Sequence, residues 1–194
     1  MNRYYIFEGA DGIGKTTLAR NFAEKIGARF TYEPFGHTDE TKSLRERALT
    51  HDVPKLAREY FLLANRDLGY QDLERWLGEG DVVTDRSIIS GMVYALAEGF
   101  PLDVWAGMAK PLVDRLLKEI APVPVVVLCT NDAYKNKDNP EDRYDGRGTE
   151  FHEKIARSFE WATEEFGLKY VRFKIDFNSS PEENLQRLTR EAKE

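Results

Sequence analysis

Phe7-Glu8-Gly9-Ala10-Asp11-Gly12-Ile13-Gly14-Lys15-Thr16-Thr17 fits the spacing G-x-x-x-x-G-K-[ST] in full, from Gly9 to Thr16. Ahead of it, Tyr4-Tyr5-Ile6-Phe7 has the makings of a short buried strand. Behind it, Leu18-Ala19, Phe22-Ala23 and Ile26 recur at helical spacing. Glycines in such a loop let successive backbone N–H groups curl around phosphate oxygens, where a Cβ would obstruct them. A helix starting at Lys15 turns its positive end toward the same anion. Lys15 is expected to bring a full charge to the β- and γ-phosphates, and Thr16 a hydroxyl to Mg²⁺. The stretch Gly9 to Thr17 is therefore the expected ATP-binding cradle.

Outward from that loop, bulk composition narrows the class. The chain has 194 residues, a length that suits one well-cored domain spanning 1–194. Hydrophobic residues make up 41% and charged residues 32%, as in ordinary globular proteins. A net charge of −6 argues against a nucleic-acid groove but not against a local phosphate site. The single cysteine, Cys129, cannot form an internal disulfide and suits a reducing compartment. There is no signal-like start, and no run approaches the roughly 18 apolar residues of a membrane span. A cytoplasmic protein with neither membrane nor nucleic-acid partners is expected. His37, His51 and His152 lack ligand spacing, so no structural metal is indicated.

The remaining pattern predicts strands at 3–8, 28–32, 81–85, 123–130 and 170–176. Helices are predicted at 15–26, 40–50, 55–77, 87–97, 102–120 and 150–166, with a last one entered through Ser180-Pro181-Glu182-Glu183. Gly27 is expected to close the first helix, Gly78 to stop the third and Pro111 to bend the fifth. Residues 131–149 are polar throughout and are expected to form a lid. Strands alternating with helices give an α/β fold: a five-stranded parallel sheet with helices on both faces, three layers in all. The phosphate loop then lies at the carboxyl ends of the strands, the arrangement of P-loop NTPases.

Further constellations refine the chemistry. Asp85-Arg86 follows a buried strand, where a carboxylate can reach a Mg²⁺ shell and a guanidinium can grip a second phosphate. Thr16 and Asp85 are the expected metal-side groups. Asn65-Arg66 interrupts an apolar helix face. Lys135, Lys137, Arg143 and Arg147 make the lid basic, and a basic lid can spread the charge of a moving phosphoryl group.

These motifs together resemble thymidylate kinases. The resemblance rests on Phe7 to Thr17, on Leu63-Ala64-Asn65-Arg66, on Asp85-Arg86 with Ser90-Gly91, and on Asp142-Arg143-Tyr144-Asp145 with Phe151-His152-Glu153-Lys154. It implies transfer of the γ-phosphoryl of ATP to dTMP with Mg²⁺, in a homodimer. It implies that Asp11 holds the sugar hydroxyl, Arg66 bonds the thymine edge and Arg86 binds the acceptor phosphate. Ser90, Gly91 and Tyr94 would line the base pocket, with Glu33 and the Phe61-Leu62 pair beside it. Arg143 would stack on adenine, with the loop from Asp176 to Ser179 closing over that ring. Gly12 stands where one branch of the family carries an arginine, which leaves catalysis to a lid cation, Lys137 or Lys135. Two positions depart from the family pattern. Tyr32 replaces an arginine before Glu33-Pro34, and Leu62 replaces the stacking ring, with Phe61 displaced by one residue.

Two other readings fit parts of the chain. A deoxynucleoside kinase suits the loss of an arginine at position 32. A nucleotide-binding switch would need a guanine-reading Asn-Lys-x-Asp, and Asn136-Lys137-Asp138-Asn139 ends in the wrong residue.

Overall fold

The computed structural model describes residues 2–121, 123–130 and 148–191, without the side chains of 148–153. Five strands form one parallel sheet: β1 (Tyr4–Glu8), β2 (Arg29–Tyr32), β3 (Val82–Asp85), β4 (Val125–Thr130) and β5 (Tyr170–Lys174). Their order is β2-β3-β1-β4-β5, so the strand that feeds the phosphate loop is the centre of the sheet. Burial follows position. Every residue of β1 and β3 is buried, whereas the edge strands β2 and β5 each bury one residue fully. In register, Phe7 sits beside Asp85 on one side and Val127 on the other.

The helices are α1 (Lys15–Ile26), α2 (Asp39–Leu49), α3 (Lys55–Glu79), α4 (Ile88–Ala97), α5 (Leu102–Arg115), α6 (Gly148–Glu165) and α7 (Pro181–Glu191). α1 packs with α7, while α3, α4, α5 and α6 form a separate group, giving a helical layer on each side of the sheet. Gly27 closes α1 in the left-handed conformation, φ 69°. At α7 the Glu183 N–H donates to Ser180 Oγ at 3.2 Å and the Ser180 N–H to Glu183 Oε2 at 2.6 Å, a complete capping box.

The strands and the second helix differ from the predicted bounds by one or two residues at their ends, and three further differences are larger in consequence. Gly78 does not stop α3, which continues to Glu79 and is capped at Gly80. An exposed glycine costs a helix only about 1 kcal/mol, which a helix this well packed absorbs. Pro111 sits inside α5 without ending it; the change comes later, where Leu116–Ile120 widens to a π-helix closed by the Ala121 N–H on Leu116 O at 2.7 Å. α6 starts at Gly148, two residues inside the expected lid. The rest of that lid, 131–147, lies outside the described residues.

Candidate active site

β1 ends in Glu8 and the chain turns at once. Gly9 has φ 142°, and a Cβ there would stand 2.4 Å from the carbonyl oxygen of Cys129 on β4, so no other residue fits. The loop then delivers Lys15 to the first turn of α1, 4% exposed. Its ammonium is paired with Asp85 Oδ1, and Thr16 Oγ1 donates to Asp85 Oδ2 at 2.5 Å. Burial pushes the Asp85 carboxyl up, but Lys15 and Arg86 outweigh it and hold the group below its ordinary range. A hydroxyl and a carboxylate thus converge beside the phosphate cradle. That oxygen donor set fits Mg²⁺, which takes few protein ligands and completes its shell with water and phosphate oxygens. Among the described residues no cluster of three or more His, Cys, Asp or Glu could hold a metal by itself.

Arg86 follows directly, and it is the one described residue other than glycine with a left-handed backbone, φ 74°. Such a conformation is rare outside glycine and concentrates at functional sites. It turns the guanidinium back over the loop. Nη1 donates to Ser90 Oγ at 2.8 Å and Nη2 to Tyr94 OH at 3.2 Å, while Nη2 also pairs with Asp11 Oδ1. Tyr94 OH donates to Asp11 Oδ2 at 2.5 Å. Burial works against the Asp11 charge, yet Arg86 and Lys15 draw its pKa down to about 2. Beneath this cluster Glu8 is fully buried and accepts from Ser87 Oγ and Ser90 Oγ, each at 2.6 Å. Burial holds the Glu8 carboxyl above the usual range against Arg86.

α3 forms the opposite wall. Asn65 is fully buried: its Oδ1 accepts from Phe35 N at 2.7 Å, and its Nδ2 donates to Phe35 O and Thr41 O. It therefore fixes the segment after β2. Arg66 donates through Nε to Glu33 Oε2 at 2.9 Å and through Nη2 to Ser87 O at 3.2 Å. Burial pushes Glu33 up to about 7, with Arg66 opposing. Leu62 lines the cleft with Arg66, whereas Phe61 is absent from that lining. Tyr32 stands under the guanidinium of Arg45 from α2, 5.2 Å from ring centroid to Cζ.

The cleft so enclosed brings together Asp11, Glu33, Leu62, Arg66, Arg86, Ser90, Gly91 and Tyr94. Arg58 and Glu59 also line it, and sequence reading passed over both. The signal was there: Arg58, Leu62 and Arg66 recur every four residues and so share one face of α3. Glu8 was passed over too, although a carboxylate inside an apolar strand signals a buried hydrogen-bonding role. A second cleft lies across the loop, lined by Gly14, Thr17, Asp176, Phe177, Ser179 and Asn184 among others. Lys135, Lys137, Arg143 and Arg147 lie outside the described residues.

Comparison with known proteins gives a consistent picture. The thymidylate kinase family model matches residues 7–188. The probable thymidylate kinase of Methanococcus maripaludis strain C7 is 39% identical over 105 residues, covering 53% of this chain and 51% of that protein. The thymidylate kinase of Helicobacter pylori strain HPAG1 is 34% identical over 110 residues, covering 53% and 55%. The chain thus spans about half the length of the curated relatives it matches. The crystal structure of Ehrlichia chaffeensis thymidylate kinase superposes with TM-score 0.71 at 18% identity, covering 100% of this chain and 99% of that one. The Candida albicans enzyme gives 0.71 at 20% identity over 97% and 90%.

Proposed function

The chain belongs to the thymidylate kinase family, and on that premise we propose that it transfers the γ-phosphoryl of ATP to dTMP, giving dTDP. The observation that carries the proposal is one loop shared by two clefts. Asp11 lines the first, and Gly14 and Thr17 line the second. An acceptor in one and a donor in the other would meet end to end over the amides of residues 9–17. Phosphoryl transfer asks the protein for alignment and charge rather than covalent chemistry.

In this reading Lys15 exchanges its partner, Asp85, for the donor phosphates, and the N-terminus of α1 adds its dipole. Thr16 and Asp85 would hold Mg²⁺, which when bound neutralises charge on the triphosphate oxygens. Arg86 exchanges Asp11 for the acceptor phosphate and presents it in line. Asp11, once released, faces the acceptor sugar. Adenine would sit against Phe177 and the Asp176 loop, with Arg143 over it and Lys137 at the moving phosphoryl group.

A deoxynucleoside kinase would need a free base near Glu33-Pro34. Glu33 is 2% exposed and bonded to Arg66 and Tyr4, which disfavours that reading. We include a homodimer in the proposal because Leu56, Tyr60 and Leu68 are exposed at i, i+4 and i+12 on α3, an apolar stripe suited to a partner helix. The proposal includes cytoplasmic residence, a compartment that supplies ATP. No helix among the described residues is long and apolar enough to cross a membrane. The deciding experiment is ADP release from ATP and Mg²⁺ with dTMP or thymidine as acceptor. Turnover with dTMP alone is expected; turnover with thymidine alone, or with neither, defeats the proposal.

A further inference from the structure

The residues lining the cleft include a charged pair on α3 well before Arg66. Arg58 and Glu59 lie two turns of α3 before Arg66, roughly 12 Å further along the helix. Both are buried, at 3% and 2% exposure, and both line the cleft. Arg58 pairs through Nη2 with Glu98 Oε2, and its Nε lies 3.5 Å from Glu59 Oε1. Its Nη1 is buried with no hydrogen-bond partner among the described residues. The other oxygen of Glu59, Oε2, accepts from Trp105 Nε1 at 3.2 Å. The same lining includes the small residues Ala95 and Gly91, the latter's absent Cβ standing 3.3 Å from both Trp105 and Arg66, beside the larger Leu49 and Leu62.

A nucleotide anchored by its phosphate at Arg86 directs its base toward the α3 pair. In a pyrimidine the sugar is carried on N1, so C4 lies opposite it, flanked by N3 and by C5, which bears the substituent. A methyl group on C5 would leave the Arg58 nitrogen unpartnered beside an apolar neighbour, the arrangement buried polar groups avoid. A hydroxyl both accepts and donates, so one group could accept from Arg58 and donate to Glu59. We propose that the cleft selects a pyrimidine deoxynucleotide carrying a hydroxyl-bearing substituent on C5 over one carrying a plain methyl, with Arg58 and Glu59 as the residues that discriminate. This rests on the reading of the cleft as the acceptor pocket. Burial also holds the Glu59 carboxyl above the usual range against Arg58, as expected where a carboxylate lacks full solvation.

The test compares kcat/KM for 5-hydroxymethyl-dUMP, dTMP and dGMP with ATP and Mg²⁺, in the full chain and in Arg58→Met and Glu59→Gln. The wild type is expected to favour the hydroxymethyl nucleotide over dTMP by about tenfold or more, since a site built to bond a hydroxyl discriminates against its absence. Both variants should bring the ratio toward one. A wild-type preference for dTMP or dGMP, a ratio near one, or variants that keep the wild-type ratio would each overturn the proposal. Should Arg58→Met fail to fold, the wild-type ratio and Arg58→Lys still decide it, because a shorter point charge is expected to lower the preference. Phosphorylation of none of the three defeats the kinase reading; phosphorylation of dTMP without the preference defeats this inference alone.

Discussion

Arg86 shows how a side chain can depend on an unfavourable backbone to reach its partners. Its φ of 74° is what lets a side chain at the end of β3 fold back to Asp11, Ser90 and Tyr94. Truncation tests the role: Arg86→Ala should raise the acceptor KM at least tenfold and the donor KM little, in initial-rate kinetics with each substrate varied. The reverse pattern would exchange the two clefts. Asp11 offers a test by pH. Its folded pKa lies at about 2, below the usual 3.8, so its contribution is present above about pH 3.8 and is lost as pH falls toward 2. That difference corresponds to about 2 kcal/mol. Urea unfolding should therefore show wild type more stable than Asp11→Asn by about that much at pH 6, with the gap closing by pH 2. A constant gap would mean that the Asp11–Arg86 pair is not what lowers the group. The residues of this cluster were individually legible, because Asp11 lies inside a phosphate-loop motif and Arg86 follows a buried strand. Their mutual pairing was not, since they are 75 positions apart and meet only when β1 and β3 lie side by side.

Among the elements, the start of α7 was legible to the residue and α3 only in part. The capping box at Ser180 is a local pattern, and local patterns survive tertiary packing. The apolar content of α3 announced a helix, but Arg58, Glu59, Asn65 and Arg66 are all buried, where composition would have placed them in solvent. Their burial depends on partners from other elements, namely Glu98, Trp105, Phe35 and Glu33. α7 also bears on the second cleft, the proposed donor site. Asn184 donates to Asp176 O at 2.8 Å and accepts from Asp176 N at 2.9 Å, clamping the loop against the helix start. Ser180→Ala should cost about 1 kcal/mol, a loss of roughly 2–4 °C in Tm by calorimetry. Asn184→Ala should cost more and raise the ATP KM without a matching change for the acceptor. An equal rise in both would mean that α7 supports the fold and not the donor cleft.

At the scale of the molecule, strand order decides where chemistry can happen. With β1 central, its carboxyl end opens between β3, which carries Asp85 and Arg86, and β4, whose Cys129 carbonyl forbids a side chain at Gly9. Alternation of strands and helices foretold the parallel sheet, and the glycine-rich motif marks the edge expected to bind phosphate. Neither could foretell that two clefts would abut along residues 11–17, because each cleft draws its walls from segments distant in sequence. That adjacency has a consequence for inhibition. If the two nucleotides meet over one loop, a single molecule joining adenosine to deoxythymidine through a polyphosphate bridge fills both clefts at once. Its second half then binds at an effective concentration in the millimolar range, and its affinity should exceed that of either nucleotide alone by about 10²-fold or more. It should compete with ATP and with dTMP alike, whereas a compound occupying one cleft competes with one substrate only. Arg86→Ala should remove most of this gain while leaving ATP binding near its wild-type value, because only the acceptor end of the bridge is lost. Competition against ATP alone would place the acceptor elsewhere on the protein, and isothermal titration of each half-molecule would show which cleft had been misassigned.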